Sequence, residues 1–207
     1  MDRINITVEI PSAGPKRANV RSSMYVASLI SMTKDKFNLD GNYVLVQKGE
    51  RQPLSPEMPL DQAGISDGSV LVCAAVVEAS RTKDALKSGV RQPISKHFKR
   101  VYLQEERQLV EYDAAWQPAI IGRRDRRDPS NNKLLAVDLE GLEEAPTVSR
   151  HHACITEKDG SFYLESITEH NPTYLGDTRL KPGMKYPLPI GSRIRVGRVS
   201  LVFYIIS

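Results

Sequence analysis

The chain has 207 residues, 40% of them hydrophobic and 26% charged, the composition of a soluble globular protein with room for one or two cores. Its longest apolar run, Val70 to Val77, is far shorter than the roughly 20 residues of a membrane helix, so no membrane insertion is expected. The net charge of +4 is local: residues 1–78 carry −1, residues 79–99 carry +5 and residues 100–207 carry 0, so a basic stretch joins two near-neutral blocks and nucleic acid is not the expected partner.

The two cysteines, Cys73 and Cys154, are too few and too far apart for a disulfide scaffold or a CxxC site. With no secretory signal read at the N-terminus, they fit a reducing cytosol and a cytoplasmic protein, one that could be recruited to a membrane complex.

The first block opens with strict alternation. Ile4, Ile6, Val8 and Ile10 alternate with polar residues, which predicts a half-buried strand. Pro11, Gly14 and Pro15 make a turn, and a weaker alternation through Ala18 and Val20 predicts a second strand. The period then changes: Val26, Leu29, Ile30, Thr33 and Phe37 lie at helical spacing, and Asp40-Gly41-Asn42 is expected to stop that helix. Tyr43 to Val46 is a short strand. Pro53, Pro56, Pro59 and Gly64 punctuate the chain beyond it, and Asp67-Gly68 turns into a last strand, Val70 to Val77.

Strand, hairpin, strand, helix, strand, strand is the order of the β-grasp. The stretch Leu54 to Val72, with Leu60, Gly64-Ile65 and Asp67-Gly68, resembles the segment that closes ubiquitin-like domains. Leu60 and Ile65 would plug one end of the helix, and Gly64 would permit the turn between them. No Gly-Gly follows Val77; Glu78, Ala79 and Ser80 lead into the basic stretch. The resemblance therefore implies an α+β module over residues 1–78 that docks a protein partner rather than a conjugating modifier, analogous to the ubiquitin-like domains of bacterial type VII secretion machines. Residues 79–99 read as a solvated basic linker, with a docking strip for an acidic partner, lipid or nucleic acid as the alternative.

From about residue 98 the sequence reads as short strands separated by turns. The candidates are Leu109 to Tyr112, Ala119 to Ile121, Leu134 to Leu139, Ala153 to Thr156, Phe162 to Leu164, Ile194 to Val196 and Leu201 to Ile206, with an Asp159-Gly160 hairpin turn. This pattern predicts an all-β sandwich over residues 100–207.

Three motifs occur there in order: Gly122-Arg123, then Ser149-Arg150-His151-His152, then Asn171-Pro172-Thr173. Their order and spacing resemble the forkhead-associated (FHA) domain, whose pattern is Gly-Arg, Ser-x-x-His and Asn-Gly-Thr. The resemblance implies recognition of a phosphothreonine, which carries close to two negative charges and three acceptor oxygens. On that reading Arg123, Ser149, Arg150 and Asn171 bind the phosphothreonine and the peptide backbone around it. His170 and Thr147 are candidate peptide contacts, while Gly122, His152 and Thr173 are architectural. The chain departs from the pattern at Pro172, where the family has Gly, which fixes φ and removes a donor.

Enzymatic readings find no support. Ser149 lies in no Gly-x-Ser-x-Gly elbow, no HExxH or Gly-rich Lys-Ser/Thr loop occurs, and Glu143-Glu144 lacks a partner carboxylate. The expectation is a non-catalytic adaptor with no cofactor, no metal and no small-molecule substrate. It would read a phosphothreonine-containing protein through one domain and hold a second partner through the other. A type VII-like secretion apparatus is the first setting, Ser/Thr kinase signalling the second, and a phospho-independent scaffold the alternative class.

Overall fold

A computed structural model describes residues 2–11, 13–50, 52–78, 86–95 and 97–207. The chain divides into two compact units, Met1–Val77 and Glu78–Ser207. Both are built mainly from β-sheet, and no helix among the described residues is long and apolar enough to cross a membrane.

In the first unit β1 (Arg3–Ile10) and β2 (Gly14–Arg21) form an antiparallel hairpin. Helix α1 (Val26–Phe37) follows, then β3 (Asn42–Gln47) and β4 (Val70–Glu78). β4 pairs parallel with β1 and antiparallel with β3, so the sheet order is β2-β1-β4-β3, the β-grasp order. The alternation of β1 places Ile4, Ile6, Val8 and Ile10 on the face that meets Val26 and Leu29 of the helix. Leu60 and Ile65 are buried in the same cluster, and the chain turns between them at Gly64, whose φ is +76°. The helix stops earlier than expected: Asn38, not Asp40-Gly41-Asn42, takes the left-handed C-cap, and its N–H donates to the Lys34 carbonyl. Asn is the commonest substitute for Gly in that conformation, and here it closes the helix before the glycine is reached.

The second unit is a sandwich of two sheets. The first contains β9 (Ala119–Gly122), β10 (Leu135–Asp138), β11 (Ala153–Lys158), β12 (Ser161–Ser166) and β15 (Met184–Pro187), in the order β10-β9-β11-β12-β15. The second contains β6 (Arg100–Glu105), β7 (Glu111–Asp113), β13 (Thr173–Leu175), β14 (Thr178–Arg179), β16 (Arg193–Val196) and β17 (Val199–Ile206), in the order β14-β13-β16-β17-β6-β7. Phe162 of β12 and Phe203 of β17 meet between the layers at 5.3 Å, and Phe98 packs on Phe162 at 5.2 Å.

The β11–β12 turn is Asp159-Gly160, with φ of +51° and +79°, the geometry that matches strand twist in a two-residue hairpin. The expected strand at Leu109–Tyr112 is shifted. Leu109 and Val110 are exposed, Leu109 has φ +57°, and pairing begins at Glu111. The Glu105 carboxylate accepts the N–H groups of Arg107 and Gln108 and so builds a turn where the apolar pair suggested a strand.

Of the segment read as a linker, residues 79–85 lie outside the described residues. Residues 86–95 belong to the second unit, where β5 (Gln92–Pro93) pairs with β8 (Trp116–Gln117). Arg91 lies 3.7 Å over the Trp116 ring and its Nε donates to the Lys133 carbonyl at 2.7 Å. Leu86 packs on the cluster of Ile120, Leu134 and Cys154. This part of the segment is a strap on the sandwich, because Leu86 and Arg91 each find an apolar or aromatic seat there.

Candidate functional site

Three loops meet at one end of the sandwich: the one leaving β9, the one entering β11, and the one joining β12 to β13. Main-chain bonds hold the first two together. Arg123 N–H donates to the Ser149 carbonyl at 3.1 Å, His152 N–H to the Ile121 carbonyl at 3.0 Å, and Leu139 N–H to the Gly122 carbonyl at 2.9 Å. The approach is so close that a Cβ on Gly122 would lie 1.9 Å from the Arg150 carbonyl oxygen. Only glycine fits.

His152 ties in the third loop. It is fully buried, its Nδ1 accepts the Ser149 N–H at 3.1 Å, and its Nε2 reaches the Pro172 carbonyl at 3.3 Å. That pairing requires the neutral Nε2–H tautomer, and burial lowers the pKa of the imidazole accordingly. Neither ring nitrogen faces the Ser149 hydroxyl, so the two residues form no nucleophile–base pair. Asn171 Nδ2 donates to Ser149 Oγ at 2.9 Å, a bond that uses neither the Ser149 hydroxyl hydrogen nor Asn171 Oδ1. Thr173 is buried and its hydroxyl donates to Ser166 Oγ at 3.0 Å.

The cationic side chains sit at the rim. Arg123 Nε donates to the Val148 carbonyl at 3.3 Å and lies 3.8 Å from Glu140 Oε2. Arg150, with half its side chain exposed, pairs with Asp125 at 3.2 Å. Arg124 pairs with Asp138 at 2.8 Å and Arg126 with Glu140 at 2.9 Å. Asp125 is only 3% exposed; it accepts from the N–H groups of Arg127 and Asp128 and from Asn131 Nδ2. The Asn131 amide foremost, then those backbone donors and the nearby Arg150, lower its pKa to about 2 against the cost of burial.

The structure thus brings Arg123, Ser149, Arg150 and Asn171 to one end of the sandwich, with Gly122 and His152 beneath them. His170 is exposed on the loop that carries Asn171. Thr147 is turned inward: its hydroxyl donates to the Glu144 carbonyl at 2.8 Å and accepts the Arg198 N–H at 3.0 Å, against Gly197. The sequence assigns no site role to Asp125, Asp138 or Glu140, although Asp138-Leu139 fits the FHA pattern. The loop's Asp125-x-x-Asp128-Pro129 carries turn-forming residue types, but nothing in one sequence says which acids face the arginines. Among the described residues no group of His, Cys, Asp and Glu is placed to hold a metal ion.

The family model for the FHA domain matches residues 119–197. Over 105 residues the chain is 30% identical to Protein FraH of Nostoc sp., an overlap of 51% of this chain and 34% of that protein. The chain thus spans about a third of that relative's length. Among solved structures, an FHA domain studied for phosphothreonine-dependent interactions is 20% identical over 53% of this chain and 99% of its own, with a TM-score of 0.41. A ubiquitin-like domain of an Arabidopsis thaliana protein is 22% identical over 36% of this chain and 79% of its own, with a TM-score of 0.32. Residues 119–197 thus match the FHA domain, and the unit that precedes them has the β-grasp order of elements.

Proposed function

We propose that the protein is a non-catalytic adaptor whose FHA domain, within residues 100–207, captures a phosphothreonine-containing protein segment. In this reading Arg123 and Arg150 present donors to the phosphate, Ser149 donates its hydroxyl to a further oxygen, and Asn171 Oδ1 accepts a backbone N–H of the bound segment. The observation that carries the reading is the Asn171–Ser149 bond of 2.9 Å, which joins two of the motif loops beside Arg123 and uses neither the Ser149 hydroxyl hydrogen nor Asn171 Oδ1. The unit at residues 1–78 serves as the docking module for a second protein, in the cytoplasm or at a membrane complex. A type VII-like secretion apparatus is the setting proposed, on the pairing of a β-grasp unit with an FHA domain in one chain.

The test is capture from degenerate phosphothreonine, phosphoserine and unmodified threonine peptide libraries. Selective capture of phosphothreonine is expected. Arg123→Ala removes a charged donor, at a cost of about 2–3 kcal/mol, or roughly 30- to 150-fold in affinity. Equal capture of all three libraries would replace this reading with a phospho-independent scaffold. A pull-down separates the settings: a secretion ATPase supports the first, a Ser/Thr kinase or its substrate the second.

A further inference from the structure

Resting on the phosphothreonine reading, we propose that Glu140 is an internal counter-ion that competes with the phosphate for Arg123 and so holds the affinity of the site down. Glu140 lies just beyond β10, with its side chain 19% exposed. Its Oε1 is 2.9 Å from Arg126 Nε, and its Oε2 is 3.8 Å from Arg123 Nε. That second oxygen is buried and accepts no hydrogen bond among the described residues. A buried carboxylate oxygen with no donor among the described residues is held by charge alone.

Orientation and charge are divided between two partners of Arg123. Its Nε–H donates to the Val148 carbonyl, so its direction is fixed without Glu140. What Glu140 adds is a negative charge where a phosphate bound to Arg123 would also lie. Two anions beside one guanidinium in a partly dehydrated rim repel each other more strongly than in open water.

The other two acids of the rim have structural work that Glu140 lacks. Asp125 accepts two backbone N–H groups and the Asn131 amide, and Asp138 Oδ1 accepts the N–H groups of Arg124 and Glu140. No backbone N–H among the described residues depends on the Glu140 carboxylate. It can be neutralised without taking a loop apart.

The experiment is Glu140→Gln in the full chain, titrated against one phosphothreonine peptide captured from the degenerate library and against its unphosphorylated twin. The variant should bind the phosphopeptide about three- to tenfold more tightly, with a steeper salt dependence and no change for the twin. The gain should vanish when Arg123→Ala is added. Unchanged or weaker phosphopeptide binding, in a variant that melts like the parent, overturns the proposal. If Glu140→Gln does not fold, Glu140→Asp, which withdraws the carboxylate by one methylene, is judged the same way. A parent chain that binds no phosphothreonine peptide overturns the reading beneath the proposal, a different result from a parent that binds and a variant that fails to tighten.

Discussion

At Gly122 the site admits no side chain at all. The obstacle to a Cβ there is backbone, the Arg150 carbonyl, which cannot swing aside as a flexible side chain can. Gly122→Ala should therefore cost about 3 kcal/mol or more in a denaturant titration, since overpacking here must move a loop; a loss under about 1 kcal/mol would show that the loop yields. His152 gives a pH signature. Its folded pKa lies below the free value of 6.5, so in that window the unfolded chain binds a proton that the folded chain refuses. Stability is full above the free value and declines as pH falls through it. Denaturation midpoints at about pH 7.5 and about pH 5.5 should differ, and His152→Gln should shrink the difference. Asp125 acts lower on the scale: the stability it contributes is present above 3.8 and is lost as pH falls towards about 2. The placement of these residues was legible to different degrees. Gly122-Arg123 and Ser149 through His152 were visible because their types and spacing form a motif. The inward turn of Thr147 was not, because it depends on Arg198 and Gly197, some fifty residues away in the chain.

At the scale of elements, alternation and helical period gave away those whose faces are unequal. β1, α1 and β17 each bury one side and show it in the sequence. Short pairings such as β5 with β8, two residues each, carry no period to read, and their partners are set by tertiary contact. The strap on the sandwich is the clearest such case: Leu86 and Arg91 look like linker residues until Cys154 and Trp116 are brought beside them. Arg91→Ala should cost about 0.5–1 kcal/mol, the worth of an exposed cation–π contact. It should also shift the fluorescence of Trp116, the single tryptophan, while phosphopeptide capture stays unchanged. A Trp116 spectrum identical to the parent's would show that the guanidinium does not rest on the ring.

At the scale of the whole molecule, the excess positive charge lies in residues 79–99, part of which straps the sandwich of the second unit, while residues 1–78 carry −1 and residues 100–207 carry 0. On the function proposed above, the chain offers two docking surfaces, one of them the loop end of the sandwich where Arg123, Ser149, Arg150 and Asn171 meet. Three carboxylates already stand beside four arginines there, so on the proposed reading an incoming phosphate exchanges for an anion that is already in place. The loop that completes the site also has a chemical lifetime. An asparagine amide is lost when the backbone nitrogen of the next residue attacks the side-chain carbonyl and closes a succinimide ring, and a following glycine makes that attack easiest. Behind Asn171 stands Pro172, whose nitrogen has no hydrogen to give up. Pro172, standing where the FHA pattern has Gly, closes that route of ageing for the amide that meets Ser149.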